Sequence, residues 1–387
     1  MSSVAPRVPA GAASSADAGA RLAPLRVAVE ATRLLREKRG IGRYVRALLP
    51  RLVALHPVLT LELFAKNRRD VAALGDWVLA DPELRECTRV RRVRELPGCG
   101  ADVFWYPWNI ASPVPRQGAI VVTLHDVAPL AFPDPRWHAW RKNFRWRRRY
   151  AATARRATIM VADSAFTATE VQRTLGFPAD RIRVVLLAAD DMVAPPPAGD
   201  AEVLMRLGVR QPFLLTVGAA DRRKNHALLA RAMQRVVVSN PTVTLAVAGP
   251  RRHIETDTPD AAWKRVLGFV SDTDLAVLYR TAAALVMPST YEGFGLPVLE
   301  AMQLGTPEIC ARASSLPEVA GDAAEWVDPT DDVQLADVIS RILTDPALRA
   351  RMRAASLSQA ALFNWNQTAK MTLRAFDEAR RLASLVE

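Results

Sequence analysis

Short apolar runs alternate with amphipathic segments along most of the chain. The runs are rich in branched side chains and too short for helices, so they predict buried strands. They include LRVAVE at 25–30, AIVVTLHD at 119–126, PFLLTVGAA at 212–220 and AAALVMPS at 282–289. Segments with apolar residues at helical spacing follow several of these strands, such as LPVLEAMQLG after the last of them. This alternation predicts an α/β fold with parallel sheets.

The length of 387 residues exceeds what one core normally supports, so two domains are predicted. The proline-rich stretch 192–200 is interpreted as a linker between a domain at 25–191 and one at 201–365. Residues 1–24 lack the cationic start and apolar core of a signal peptide and are interpreted as a disordered leader. Residues 366–387 predict a C-terminal helix that packs back toward the N-terminal domain. No run of about 18 apolar residues occurs, so no transmembrane helix is predicted.

The net charge of +12 is unevenly distributed. Residues 1–200 contain 31 Lys and Arg against 19 Asp and Glu, whereas residues 201–387 contain 21 of each. This asymmetry indicates that the first half meets something anionic, such as a membrane surface, a phosphorylated acceptor or nucleic acid.

The most basic segment is a predicted helix at residues 136–156 that contains no acidic residue. Its helically spaced apolar residues predict a stripe that faces the core. They are Trp137, Trp140, Phe144 and Ala151. The basic face around this stripe favours an anionic membrane surface or an anionic acceptor. Nucleic acid is the less favoured partner, because aromatics on a core-facing stripe offer no exposed stacking surface.

The three cysteines, Cys87, Cys99 and Cys310, are odd in number and lack the spacing of metal ligands. They favour a reducing cytoplasm over a disulfide framework or a zinc site. The sequence Asp272-Thr273-Asp274 resembles a metal-binding Asp-x-Asp, but it is interpreted as the start of a helix. No metal and no cofactor are predicted.

The stretch Ser289–Glu300, STYEGFGLPVLE, combines two carboxylates with a glycine loop. Glu292 precedes the loop, and Glu300 falls about one turn into the helix that follows. The backbone N–H groups of the loop and the positive end of the helix dipole predict an anion site. Two carboxylates beside such a site suit a ligand that carries phosphates and hydroxyls.

Other strand ends carry further candidates. Gly40 and Gly42 form a turn that could approach a phosphate or could be an ordinary tight turn. His125 follows a buried strand, and ligands gather at the carboxyl ends of parallel strands. Three basic residues at a predicted helix start oppose the helix dipole, which an anionic ligand would explain. They are Arg222, Arg223 and Lys224.

The chain resembles glycosyltransferase family 4, whose members are retaining, use sugar nucleotides and have two Rossmann-like domains facing across a cleft, the GT-B fold. The resemblance covers roughly residues 26–365 and depends on several motifs in the family's order. They are GIGRY at 40–44, TLHDVAPLAFP at 123–133, VADS at 161–164, VGAADRRKN at 217–225, GFVSDTDLAVLY at 268–279, PSTYEGFGLPVLEAM at 288–302, SSLPEVAGDAA at 314–324 and FNW at 363–365.

The resemblance implies a role for each site residue. Glu300 would accept hydrogen bonds from the ribose hydroxyls, and Glu292 would face the transferred sugar or the diphosphate. Lys224, with Arg223, would neutralise the diphosphate, and His125 would close over the sugar from the other domain. The resemblance assigns donor-binding positions to Phe294, Gly295, Leu296, Gly218, Val270, Gly40 and Gly42. No metal is implied, because cations and a helix N-terminus take its place.

Three departures from the family pattern bear on these roles. Ala219 stands where the family often has arginine, which leaves open whether Arg222 or Arg223 contacts the diphosphate. Glu308 stands in a predicted strand where the family has an apolar residue, and a buried charge there would be costly. Alanines at 188 and 189 replace the glycine that the family has after the first-domain strand RIRVVLL.

Together, these features predict a retaining, metal-independent hexosyltransferase. It would move mannose from GDP-mannose to a growing lipopolysaccharide O-antigen or exopolysaccharide, in the cytoplasm or at the inner face of the membrane. One alternative is a non-catalytic GT-B protein that binds anionic lipid or nucleic acid, which would tolerate loss of Glu292, Glu300, Lys224 and His125. Another is a sugar-nucleotide epimerase, which would spread its acid and base residues over both domains.

Overall fold

A computed structural model describes residues 23–37, 40–189, 192, 199–218, 221–250 and 261–385. It contains two parallel sheets, each covered by helices on both faces. The predicted two-domain α/β architecture is therefore confirmed. The predicted leader, except for its last two residues, and most of the predicted linker lie outside the described residues.

The N-terminal sheet has seven parallel strands. They are β1 (Leu25–Glu30), β2 (Leu59–Ala65), β3 (Thr88–Arg92), β4 (Val103–Tyr106), β5 (Ala119–Leu124), β6 (Ile159–Ala162) and β7 (Ile182–Val184). Their spatial order is β3-β2-β1-β4-β5-β6-β7. The chain reverses its direction of winding between β1 and β4, so a crevice opens beyond the carboxyl ends of these two strands.

Five α-helices of the N-terminal half lie within the described residues. They are α1 (Ile41–Leu55), α2 (Arg68–Ala80), α3 (Ala128–Ala131), α4 (Trp140–Arg156) and α5 (Ala165–Leu175), with short 3-10 helices at Val93–Gly98, Trp137–Ala139 and Ala179–Arg181. The sequence analysis missed both α2 and β3. Helix α2 buries only Leu74 and Val78. Edge strand β3 reads TRVRR, and its Arg91 pairs with Glu62 of β2 at 2.8 Å, so neither element shows a strong apolar pattern.

The C-terminal sheet has six parallel strands in the order β10-β9-β8-β11-β12-β13. They are β8 (Phe213–Val217), β9 (Thr244–Ala248), β10 (Lys264–Gly268), β11 (Ala284–Met287), β12 (Glu308–Ala311) and β13 (Glu325–Val327). Winding reverses between β8 and β11, which places a second crevice at the carboxyl ends of those strands.

The helices described in the second half begin at the end of the linker. They are α6 (Asp200–Leu207), α7 (His226–Ser239), α8 (Asp272–Thr281), α9 (Leu296–Gln303), α10 (Leu316–Ala320), α11 (Asp332–Thr344), α12 (Pro346–Ala360) and α13 (Trp365–Ser384), with a 3-10 helix at Arg222–Lys224. The last helix, α13, crosses back and packs against α1 and the N-terminal sheet. Its Thr368 hydroxyl donates to the Leu186 carbonyl at 2.8 Å, and its Glu378 carboxylate pairs with Arg183.

The prediction that the apolar stripe of the basic helix faces the core is wrong. Trp137 is 87% exposed, Trp140 59% and Phe144 57%. Helix α4 instead buries the face that carries Tyr150 and Thr153. Trp137 lies in a separate 3-10 helix, whose tighter winding breaks the angular spacing that the stripe assumed. The exposed aromatics therefore share the surface of α4 with its arginines.

Candidate active site

The crevices of the two sheets face each other, and loops that follow strands of both halves meet there. The loop after β5 carries His125 and Asp126, and the loop after β11 carries Glu292. The side chains of Asp126 and Arg223 approach across the cleft, with 3.5 Å between a carboxylate oxygen and a guanidinium nitrogen. The chain therefore brings candidate residues of both halves into one site.

Lys224 and Glu292 form an ion pair within the C-terminal half. The Lys224 ammonium lies 2.6 Å from a Glu292 carboxylate oxygen, and both side chains are largely buried. The backbone N–H of Glu292 donates to the Ser314 hydroxyl at 2.9 Å. The Ser315 hydroxyl donates to the carbonyls of Glu292 and Phe294. These bonds fix the loop, so acid and cation are held in place before any ligand arrives.

The sequence analysis places Arg222, Arg223 and Lys224 at the start of an α-helix, and this prediction is wrong. They form a 3-10 helix that ends at Asn225 in the left-handed region (φ 54°), and α7 begins only at His226. The Asp221 carboxylate accepts from the Arg223 N–H at 3.1 Å and caps this turn. From this turn Arg223 reaches Asp126 and Lys224 reaches Glu292, so two of the three cations meet acids of the cleft.

Arg223 and Arg222 differ in their surroundings. Arg223 pairs with Asp221 at 2.8 Å, reaches Asp126 and lies 5.9 Å over the Tyr291 ring. Arg222 is exposed. Burial opposes the charge on Arg223, but its hydrogen bond with Asp221 and the nearby carboxylates raise the pKa of Arg223 above its usual value. Arg223 is thus a permanent positive charge inside the cleft.

Glu300 is buried on α9, and both of its carboxylate oxygens are engaged. One accepts from the Tyr279 hydroxyl at 2.9 Å, within the same half. The other lies 2.5 Å from a guanidinium nitrogen of Arg43, which belongs to α1 of the other half. The second guanidinium nitrogen of Arg43 lies 3.2 Å from the carboxylate of Asp272.

The two halves touch directly at Gly293. A Cβ on Gly293 would lie 1.6 Å from the His125 carbonyl oxygen, so only glycine permits this approach. The Gly293 carbonyl accepts from the hydroxyls of Ser164 and Thr167 at 2.6 and 2.9 Å. The glycine loop after β11 is therefore held against the N-terminal half by three of that half's residues.

A second contact between the halves caps helix α5. The Glu318 carboxylate of α10 accepts from the N–H groups of Ala165 and Phe166, both at 2.7 Å. A carboxylate at a helix N-terminus satisfies unpaired N–H groups and complements the dipole. Burial raises the pKa of Glu318, although the two N–H donors work in the opposite direction.

His125 is held by both ring nitrogens. Nδ1 lies 2.5 Å from the buried Asp163 carboxylate, and Nε2 lies 2.9 Å from the Pro107 carbonyl. Burial disfavours the imidazolium, but the Asp163 charge and the two hydrogen bonds raise the pKa of His125 above its usual value. Both nitrogens face the N-terminal half, so His125 presents its backbone to Gly293. Contact of the ring with a sugar stays a prediction.

The structure also describes the remaining predicted donor-binding residues. Gly295 precedes α9 in the left-handed region (φ 105°), Leu296 begins that helix, and Phe294 is buried beside Phe363. Gly218 follows β8, where a Cβ would lie 3.0 Å from the Lys224 side chain, and Val270 is buried before α8. Gly40 stands at the N-terminus of α1, and a Cβ on Gly42 would lie 1.5 Å from the Glu37 carbonyl oxygen. Their contacts with a donor stay predictions.

Sequence reasoning missed several residues of this site. Arg43 lies within the motif GIGRY, and Asp163 and Ser164 lie within VADS, but the sequence analysis assigns none of them a role in the site. Tyr279 and Glu318 likewise lay inside quoted motifs. Their roles depend on neighbours more than twenty positions away in the chain, so no local pattern identifies them.

Glu308 has a structural explanation that its sequence position did not suggest. It is fully buried on β12, and the Ser356 hydroxyl of α12 donates to one carboxyl oxygen at 2.7 Å. Burial raises the pKa of Glu308 well above its usual value, despite that hydrogen bond. The residue is thus tolerated in the strand as a neutral acid, and it lies away from the cleft loops.

Asp272 and Asp274 begin α8, as interpreted from sequence, although the cap is Ser271. Each aspartate pairs with an arginine, Asp272 with Arg43 and Asp274 with Arg206. Across the described residues, no three His, Cys, Asp or Glu side chains gather closely enough to hold a metal ion. That the reaction needs no metal stays a prediction. In that same part of the chain no helix is both long and apolar enough to cross a bilayer.

Two facing Rossmann-like domains with acids and cations in the cleft define a GT-B glycosyltransferase. Comparison with protein families agrees: residues 38–191 match the model of Glycosyltransferase Family 4, and residues 206–359 match Glycosyl transferases group 1. The O-antigen chain mannosyltransferase B of Escherichia coli is 31% identical over 367 residues, which are 87% of this chain and 95% of that protein. The chain belongs to glycosyltransferase family 4.

Two further comparisons extend this result. The serotype-specific mannosyltransferase WbdA of Escherichia coli is 30% identical over 274 residues, which cover 66% of this chain but only 33% of that protein. The crystal structure of Anabaena HepE in complex with UDP-glucose superimposes with a TM-score of 0.69 at 18% identity, over 92% of this chain and 100% of that chain. The structural likeness confirms the predicted GT-B fold.

Proposed function

We propose that this glycosyltransferase transfers mannose from GDP-mannose to a growing cell-surface glycan, with retention at the anomeric carbon and without a metal ion. The acceptor would be an O-antigen or a similar polysaccharide at the cytoplasmic face of the membrane. The sugar and acceptor are supported by the name of the O-antigen chain mannosyltransferase B, which is similar to this chain over nearly its whole length.

One observation carries the catalytic part of the proposal. Glu292 and Glu300 lie on one loop and helix, with Lys224 2.6 Å from Glu292, and the other half closes over them. A buried carboxylate suits the ribose hydroxyls, because its oxygens can accept from two neighbouring donors. When the bond between the anomeric carbon and the diphosphate breaks, negative charge develops on the diphosphate. Lys224 and the N-terminus of α9 stabilise that charge.

A donor panel tests the proposal. The purified full chain is incubated with GDP-mannose, UDP-glucose, UDP-N-acetylglucosamine and other sugar nucleotides, and the released nucleoside diphosphate is measured. We expect hydrolysis or transfer with GDP-mannose, equal rates with EDTA or magnesium, and an α-linked product by NMR. Glu300→Gln should abolish nucleotide binding, whereas Glu202→Gln, a change of an exposed acid on α6, should not. If only a sugar nucleotide other than GDP-mannose is turned over, the donor assignment is wrong.

The acceptor side of the proposal includes contact with an anionic membrane. The exposed side chains Trp137, Trp140 and Phe144 and the basic residues of α4 form what we call the α4 surface. Those basic residues are Arg141, Lys142, Arg145, Arg147, Arg148 and Arg149. Aromatic rings suit the boundary between headgroups and acyl chains, and arginines attract anionic headgroups. The nearby Asp134 pairs with Arg136 and, at 3.6 Å, with Lys142. Helix α4 itself contains no acidic residue, so its arginines keep the surface strongly positive.

Vesicle sedimentation tests the membrane contact. The full chain should bind vesicles of phosphatidylcholine with phosphatidylglycerol and should not bind phosphatidylcholine alone. The double change Trp140→Ser and Phe144→Ser should abolish binding. The matched change Met205→Ser and Val238→Ser, which alters two exposed apolar residues of the other half, should leave it intact. Equal binding by both double variants would overturn the assignment of the α4 surface.

A further inference from the structure

Arg43 is a buried cation that crosses from one half of the protein to the other. It lies in the first turn of α1 and is 8% exposed. Its guanidinium reaches two acids of the C-terminal half, at 2.5 Å from Glu300 and 3.2 Å from Asp272. The Glu300 side chain is as deeply buried as that of Arg43, whereas the Asp272 side chain is about half exposed.

Arg43 competes with a ribose for Glu300, because its guanidinium binds one of the two carboxylate oxygens that would accept from the ribose hydroxyls. The other oxygen already accepts from Tyr279, which is fully buried in the same half as Glu300. Two ribose hydroxyls that bind the same carboxylate would compete with these donors for its lone pairs. Tyr279 is fixed by packing, whereas Arg43 comes from the opposite wall of the cleft, so Arg43 is the donor that a nucleotide can displace.

We propose that Arg43 is exchanged between protein and donor: it holds Glu300 when no nucleotide is bound, and it pairs with the donor's diphosphate once the ribose takes Glu300. The inference rests on the proposed function, in which Glu300 anchors the ribose. A buried guanidinium is costly without a counter-charge. The ligand that removes Glu300 from Arg43 brings a diphosphate attached to the same ribose, and a guanidinium forms strong paired hydrogen bonds with phosphate.

The exchange makes Arg43 a specificity-determining residue. A nucleoside without phosphates that displaces Arg43 separates the guanidinium from its buried partner Glu300. A nucleoside diphosphate replaces the lost partner. The preference of the site for the nucleoside diphosphate over the nucleoside is therefore larger than the direct contacts of Lys224 and Arg223 with the phosphates would give.

Calorimetry with GDP and with guanosine tests this exchange on the full chain. In Arg43→Met, we expect GDP affinity to fall by about 10- to 100-fold, because charged hydrogen bonds to phosphate are lost. Guanosine affinity should stay equal or increase, because the competitor for Glu300 is gone. Arg43→Lys keeps the charge but not the paired geometry, so its GDP affinity should lie between those of the wild type and Arg43→Met. Arg51→Met, on the same helix, should match the wild type.

Other outcomes decide against the exchange or against the proposed donor separately. If Arg43→Met weakens GDP and guanosine by the same factor, Arg43 only holds Glu300 in place and the exchange is wrong. If neither affinity changes, Arg43 has no role in binding. If the wild type binds UDP and not GDP, the proposed donor is wrong, and the same comparison with UDP and uridine decides the exchange. Thermal unfolding of both Arg43 variants checks that they fold.

Discussion

The two halves share a strand order but use charge differently. In each, the first strand lies inside the sheet, the next two strands extend to one side and the others to the opposite side. The C-terminal half has balanced charge and holds its Lys224–Glu292 pair within one domain. The N-terminal half is strongly basic, sends Arg43 across the cleft and exposes the α4 surface.

This difference indicates a division of labour between halves of one topology. Paired acids and cations within the C-terminal half form a preorganised site whose charges are already balanced. The cationic N-terminal half attracts anions. In our proposals these are a diphosphate, which replaces Glu300 as the partner of Arg43, and a membrane at the α4 surface. Three predictions test the comparison, from the largest expected effect to the smallest.

The first prediction concerns catalysis by the C-terminal half. Lys224→Met should lower the turnover rate by about 10²- to 10³-fold, because charge on the leaving diphosphate loses a preorganised cation. Steady-state assays of nucleoside diphosphate release measure the effect. Arg222→Met removes a neighbouring exposed cation and should leave turnover near that of the wild type. Equal losses in both variants would mean that net charge, and not the Lys224 pair, matters.

The second prediction concerns Glu308, a buried acid of the C-terminal half whose effect should not involve the other half. Its raised pKa means that the folded chain keeps this proton to a higher pH than the unfolded chain. Stability therefore falls as pH rises from the unfolded pKa to the folded pKa, by about 1.4 kcal/mol per pH unit. Glu308→Gln removes that dependence.

Thermal unfolding between about pH 5 and about pH 8 measures this difference. The stability of Glu308→Gln relative to the wild type should rise across the range, while Glu202→Gln on the exposed face of α6 should follow the wild type. A difference that does not vary with pH would contradict the assignment of Glu308 as a neutral acid.

The third prediction concerns the contact that joins the halves at Glu318. Glu318→Ala removes two hydrogen bonds from the N-terminus of α5, which should cost about 1–2 kcal/mol locally. The amides of Ala165 and Phe166 should then exchange hydrogen faster, as measured by mass spectrometry. Glu202→Ala serves as control, and unchanged exchange at both amides would show that the cap does not hold the halves together.

Much of the fold followed from local pattern. Central strands such as β5 and β11 are continuous apolar runs because helices cover both faces, so their sequences are unambiguous. Edge strand β3 and the weakly buried α2 escaped detection because a polar or half-exposed element has little periodic signal. The α4 stripe failed for a related reason: helical spacing shows that residues share a face but not which face meets the core.

The residues of the candidate site likewise divide into those that a local sequence pattern identifies and those that it does not. Glu292, Glu300 and Lys224 stood out because their motifs place charges next to strand ends and glycines. Arg43 and Glu318 carried no comparable signal, because their partners lie in the other half of the chain.

The sequence by itself determined the alternation of strands and helices, the family, the uneven charge and the acids of the loop after β11. Those are local properties or residue counts, and they do not depend on how the two domains are arranged. Only the tertiary structure decided that Glu300 is paired with Arg43, that Gly293 lies against His125 and that the α4 aromatics face outward. Each of these depends on which surfaces become neighbours when the two halves pack, and neighbours distant in sequence leave no pattern along the chain.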